Sequence, residues 1–234
     1  NVQHMDMNGN SELAVPQNTL GAELRQLENK QWEQITLPHT PFVEPLTVLH
    51  QWQGICYYKK KITITPEEAK KHIWIEFEGA MHLADVWING KHVMQHAGGY
   101  TPFVVDATGL LKTGKENELL VRLDNRNNSL IPPGKPLETL DFCYYGGIYR
   151  NVHLIAKADV HITHPILDGH PAGAGIFITY PKVSQELSVV DAKTEIKNTS
   201  DKEKVVELRH TLYTWKKQKG KDKKVQKHSH CTLA

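Results

Sequence analysis

Residues 87–103 read WINGKHVMQHAGGYTPF, and no other stretch restricts the fold as strongly. Val86, Trp87 and Ile88 favour a half-buried pleated surface, Asn89-Gly90 tolerates the positive φ of a primed two-residue turn, and His92-Val93 resume the strand. The spacing predicts a β-hairpin. Gly98-Gly99 then ends the strand with two residues that accept left-handed backbone, and Tyr100, Pro102 and Phe103 set two aromatic rings beside a rigid proline. Such a loop either frames a ligand or simply turns the chain.

The flanking sequence follows the same alternation. After a weak helical signal at 21–29, residues 32–38 (WEQITLP) predict a first strand with Trp32 and Ile35 in a core. Strands are expected at 55–64, 73–78, 83–88 and 118–124. Residues 66–71 (PEEAKK) read as one exposed helical turn or a loop. Pro132, Pro133, Gly134 and Pro136 forbid regular pairing over most of 125–140, so a long surface loop is expected there, a common place for sites on rigid sandwiches. Strands resume at 148–156 and 160–163. Three β-rich runs then follow at 176–180, 187–197 and 204–215, and 216–227 is a charged hairpin or loop.

Many short strands between turn residues predict an all-β, antiparallel sandwich architecture. A boundary near Ala158 divides the chain into 1–157 and 158–234. The later spacing suits an immunoglobulin-like sandwich, which needs about seven strands and about 100 residues. Residues 158–234 are fewer, so that domain is expected to be truncated.

Composition removes several functions. With 39% hydrophobic and 23% charged residues and a formal net charge of +2, the 234-residue chain is an ordinary globular composition that points to no nucleic acid. No window approaches the roughly 18 apolar residues of a membrane span, so no membrane partner is expected. Residues 1–10 lack signal-peptide features, yet a removed signal leaves no trace, so periplasmic, secreted and cytoplasmic locations all stay open. Cys56, Cys143 and Cys231 are odd in number and far apart, which suits buried unpaired thiols. The fourteen histidines show no H-x-x-x-H pair on a helix, and no D-x-D-x-D run suggests calcium, so no metal and no cofactor is expected.

Four ordered blocks across about a hundred residues carry a family resemblance. WINGKHV followed by GGYTPF resembles the amino-terminal sugar-binding domain of glycoside hydrolase family 2, which includes β-galactosidases, β-glucuronidases and β-mannosidases. Residues 53–60 resemble the family's G-x-x-W-Y-R-K strand, with Tyr57 where Trp is more frequent. Ile131-Pro132-Pro133-Gly134 resembles an IPPG block, and residues 141–150 (DFCYYGGIYR) resemble D-F-x-x-Y-x-G-I-x-R, particularly of glucuronidase-like members. The resemblance implies a jelly-roll domain followed by an immunoglobulin-like domain. It also implies a (β/α)₈ barrel elsewhere in the same polypeptide that carries both catalytic glutamates of a retaining glycosidase.

The residues themselves agree with a non-catalytic role. Retaining hydrolysis needs an acid and a carboxylate nucleophile about 5 to 5.5 Å apart on rigid elements. Glu76 and Glu78 share one strand face, but their alternation with Ile73, Ile75 and Phe77 predicts a solvated face. Glu67, Glu68, Glu116 and Glu118 fall in turns, and no nucleophile elbow accompanies any Ser, His and Asp.

Asp141 is the strongest substrate-binding candidate. A carboxylate accepts hydrogen bonds from vicinal hydroxyls while a neighbouring ring packs on the sugar's apolar face, and the family motif also points to Asp141. Asp124 and Asn125, at a strand end before the Pro-rich loop, form a second candidate pair. The bland alternatives are turn-forming or capping roles, or for Asp141 a bridge to Arg150. Tyr100 and Phe103 suit packing at the sandwich rim better than a stacking platform. Two rival readings remain, a free-standing carbohydrate-binding module and a purely structural or oligomerising domain. A homo-oligomer is compatible with the sequence, and the resemblance implies that the choice of sugar belongs to the barrel.

Overall fold

Period-two burial organises the first part of the chain. The computed structural model describes residues 3–6, 11–14, 32–42, 51–142, 145–170, 174–218 and 221–228. It divides into two units, Asn1–Asp159 and Val160–Ala234. In the first unit, β1 (Gln3–Asp6), β2 (Ser11–Ala14), β3 (Glu33–Ile35), β4 (Ile55–Thr63), β5 (His72–Phe77), β6 (Leu83–Ile88), β7 (Lys91–Ala97), β8 (Phe103–Asp106), β9 (Glu116–Asp124) and β10 (Val152–Lys157) form two antiparallel sheets. One has the order β1-β10-β5-β8 and the other β3-β2-β4-β9-β6-β7.

Alternate residues of β4, β5, β6, β9 and β10 enter one core. Cys56, Tyr58 and Ile62 of β4, Ala84, Val86 and Ile88 of β6, and Leu119, Val121 and Leu123 of β9 belong to the same buried cluster as Ile73, Ile75 and Phe77 of β5 and Val152, Leu154 and Ala156 of β10. Burying these side chains stabilises the sandwich by about 1.5–3 kcal/mol for each large aliphatic or aromatic group. Phe103 joins the core, with its ring stacked 4.6 Å from Phe77 and 4.5 Å from His96. The ring anchors the GGYTPF loop from inside, whereas Tyr100 is 49% exposed.

The opposite, outer face of the six-stranded sheet is not simply polar. Ile55, Tyr57 and Leu120 form a buried cluster there, flanked by half-buried Trp32 and Trp87. Trp32 lies beneath the Lys59 ammonium at 4.2 Å. Trp74 of β5 is likewise buried away from the main core, against Val104 and Ile155.

The second unit contains β11 (Val160–Ile162), β12 (Ile176–Val183), β13 (Ser188–Thr194), β14 (Ile196–Asn198), β15 (Leu212–Gln218) and β16 (Lys221–His228). They pair as β11-β14, β12-β13 and β15-β16, all antiparallel. Among the described residues of both units, no helix is long and apolar enough to cross a membrane.

Several expectations change: Glu116 and Glu118 lie in β9 and not in turns, and the strand expected from residue 148 begins at Val152. The strand expected from residue 204 begins only at Leu212, because Val205 and Val206 are exposed and β-propensity without a neighbouring ladder does not form a strand. Within the turn at 66–71, Glu68 is buried rather than solvated. It opens the short 3₁₀ turn Glu68–Lys70 and accepts hydrogen bonds from the Thr65 amide (2.8 Å) and hydroxyl (2.9 Å), which satisfies it locally. Glu78 is only half-buried but engaged, accepting from Asn151 Nδ2 at 3.1 Å and lying 3.3 Å from His153 Nε2. The helical signal at 21–29 lies outside the described residues, as do Cys143 and Cys231.

Candidate functional site

Strand register brings charged residues together on the outer face of the six-stranded sheet. Arg122 of β9 stands opposite Tyr57 of β4 and Asp85 of β6, and Asp85 stands opposite Gln95 of β7. The Asp85 carboxylate accepts from Gln95 Nε2 at 2.9 Å, lies 3.0 Å from His92 Nε2, and receives Arg122 Nη1 at 3.3 Å. The same guanidinium extends Nη2 to Asp124 Oδ2 at 3.2 Å. Arg126 then closes the ladder as a fork, donating Nε to Asp124 Oδ1 at 2.9 Å and Nη2 to Asp124 Oδ2 at 2.6 Å.

Asp124 is therefore a paired carboxylate at a strand end. Burial pushes its carboxyl up, but the hydrogen bonds and charge of Arg126, together with Arg122, outweigh this and hold it below the usual carboxylate range. Asp124 and Arg126 line an open polar cleft of about 580 Å³ with Gln53, His82, Asn127 and Asn128. Burial keeps the His82 imidazole below its ordinary range despite the opposing pull of Asp124. The cleft therefore offers hydrogen-bond donors and acceptors with a neutral imidazole, a set suited to hydroxyl groups.

Asn125 has a different position from its neighbour. Its side chain is 1% exposed, accepts from the Gly54 amide at 2.8 Å, and donates to the Trp52 carbonyl at 3.0 Å. A Cβ on Gly146 would come 2.7 Å from Asn125 Nδ2, so glycine is needed for the 145–150 segment to approach this closely. Asn125 thus spends its amide on joining the chain before β4 to the chain after β9.

Asp141 is exposed and directly follows Leu140, which is buried with Leu137 and Met81 against Tyr149. Tyr149 in turn donates its hydroxyl to the Gly99 carbonyl, tying the GGYTPF loop to the block that begins at Asp141. Arg150 is exposed and lines a separate groove with Glu76, Glu78 and Tyr149. The structure therefore places Asp124 and Asn125 side by side in sequence but with different tasks, and Asp141 on a loop held from both sides.

Sequence reasoning passed over Asp85, Arg122, Arg126, Gln53 and Asn127. Strand parity places Asp85, Arg122 and Asp124 on the non-core face, but the register that makes them partners is not local. Cys56 is 1% exposed, and burial pushes its thiol up, so it is a core residue and not a nucleophile. Among the described residues, no group of three or more His, Cys, Asp or Glu side chains is arranged to hold a metal ion.

Comparison with known proteins follows the same outline. The family model described as glycosyl hydrolases family 2, sugar binding domain, matches residues 5–158. A β-glucuronidase of Formosa agariphila is 32% identical over 190 residues, covering 76% of this chain and 19% of that protein. A β-galactosidase of Thermoanaerobacter pseudethanolicus is 33% identical over 192 residues, covering 80% of this chain and 26% of that protein. Among solved structures, a calcium-binding mutant of Bacteroides uniformis β-glucuronidase 2 is similar with a TM-score of 0.68 at 30% identity, over 86% of this chain and 23% of the other. The chain thus spans about a fifth to a quarter of the length of these relatives.

Proposed function

The chain belongs to glycosyl hydrolases family 2, and on that premise we propose that it is the non-catalytic, sugar-binding region of a retaining β-glycosidase. Its work is to shape the substrate site of a (β/α)₈ catalytic barrel in the same polypeptide. The family match across residues 5–158 carries this reading, and the named activities of the relatives direct it toward a β-glucuronidase or a β-galactosidase. Residues 1–157 form the sugar-binding jelly roll, and residues 158–234 contribute an immunoglobulin-like sandwich.

Within the first domain, Asp141 supplies the principal sugar contact. Its exposed carboxylate accepts hydrogen bonds from vicinal hydroxyls of the terminal sugar. Asp124 contributes a second acceptor at the polar cleft, and Asn125 supports the same wall by fixing the backbone on either side of it. The strongest interactions of this region add substrate binding and orientation, while proton transfer and nucleophilic attack belong to the barrel carboxylates.

The test is hydrolysis of nitrophenyl β-galactoside, β-glucuronide and β-mannoside by the product of the intact gene beside this 234-residue chain. Turnover of one glycoside by the intact product alone is the expected result and names the sugar. Turnover by the 234-residue chain would overturn the non-catalytic role, and no turnover by either would favour a free-standing carbohydrate-binding module.

A further inference from the structure

One side-chain oxygen accepts two hydrogen bonds at the base of the loop that carries Asp141. Gln53 Nε2 donates to Asn127 Oδ1 at 2.8 Å, and the Leu137 amide donates to that same oxygen at 3.0 Å. Gln53 Nε2 also reaches the Asn125 carbonyl at 3.3 Å. Asn127 therefore joins three places: the segment entering β4, the start of the Pro-rich loop, and the 3₁₀ turn Leu137–Thr139 at the far end of that loop.

The 3₁₀ turn is closed internally by Thr139 N to Pro136 O and Leu140 N to Leu137 O, each 3.0 Å. Leu137 and Leu140 press its apolar side onto Met81 and Tyr149. One residue later stands Asp141. The loop is thus a ring closed by one hydrogen bond across ten residues and one apolar contact, and both fix where the next carboxylate begins.

We infer that Asn127 is a positioning residue for substrate binding, holding the Pro-rich loop so that Asp141 meets the terminal sugar without first being ordered. The inference rests on the reading of Asp141 as the sugar contact. Asn127 acts only as an acceptor in both bonds, so the chemistry it requires is an oxygen at that place and not an amide. Its own exposure and its place on a loop make its loss a local event, not an unfolding of the sandwich. Freeing the loop adds an ordering cost to substrate binding, which enters KM when the lost interaction is equal in ground and transition states.

The experiment uses the glycosidase encoded by the intact gene, with Asn127→Leu, Asn127→Asp and Asp141→Asn assayed on the nitrophenyl glycoside that the wild type turns over. Amide exchange is followed at Leu137. Asn127→Leu should raise KM about three- to tenfold with kcat within about twofold, and speed exchange at Leu137 about tenfold. Asn127→Asp, which retains the accepting oxygen, should restore both. Should Asn127→Leu fail to fold, Asn127→Ala takes its place.

If Asp141→Asn raises KM but Asn127→Leu does not, the inference is overturned and the sugar-contact reading stands. If Asn127→Asp is as impaired as Asn127→Leu, the accepting oxygen is not what matters and the inference is again overturned. An unchanged KM for Asp141→Asn removes the sugar-contact reading itself, and the inference with it.

Discussion

Asp124 shows how one residue can be both structural and available. Its side chain is 12% exposed and engages two guanidinium groups, yet it lines the polar cleft. Because its carboxyl is held below the usual range when folded, the unfolded chain takes up a proton first as pH falls through about 4. The stability contributed by this pairing is present above that value and is lost as pH drops through the folded value. Asp124→Asn should therefore lower the unfolding free energy at neutral pH by about 1–3 kcal/mol and flatten the acid side of the stability profile. Urea titrations of both proteins between neutral and acid pH read this, and identical acid profiles would show that Asp124 is not the titrating group. Its burial could not be seen in sequence. Arg122 and Arg126 each stand two residues from Asp124, and alternate residues of β9 share one face, but which of them would pair with it depends on the fold around the strand end.

At the scale of elements, the β6–β7 hairpin was legible because everything that makes it is local. Asn89 and Gly90 adopt φ of 51° and 78°, which a primed turn requires and which asparagine and glycine tolerate. What fastens the hairpin to the rest of the sheet was not legible. Asn89 Nδ2 donates to Asn117 Oδ1 at 2.9 Å, and its own Oδ1 accepts from the Glu118 amide at 3.1 Å. Asn117, 0% exposed, also accepts from the Lys112 amide at 2.7 Å and donates to the carbonyls of Ile62, Lys112 and Lys115. One buried amide therefore locks the ends of β4 and β9 to the turn between β6 and β7. Asn117→Leu should cost more than about 3 kcal/mol, because it leaves several buried backbone groups without partners. Gly90→Ala, which only strains an exposed turn, should cost about 1 kcal/mol. Thermal unfolding of the two variants tests this order, and equal losses would refute the view that Asn117 is the hub.

At the scale of the molecule, the two units differ in how much apolar surface they bury. The first has a continuous core between sheets, whereas Ile176, Ile178 and Tyr180 along β12 are 58%, 49% and 64% exposed. Amide exchange in β12 and β13 should thus be at least about tenfold faster than in β4, β6 and β9, since hydrogen bonds beside little buried apolar surface open locally. Uniform protection across both units, read by hydrogen-exchange mass spectrometry, would contradict it. The all-β class, the hairpin, the Pro-rich loop and the family blocks were determined by sequence alone, because alternation, positive-φ turns and motifs depend on residues within a few places of one another. The tertiary structure alone decided that Glu68 is buried, that Asn125 binds backbone, that Arg122 bridges two aspartates, and that Asn127 holds the loop before Asp141. Apart from the hydrogen bonds that Thr65 gives Glu68 locally, each depends on which distant strand or loop end lies alongside, and burial and partners are set by that juxtaposition and not by local propensity.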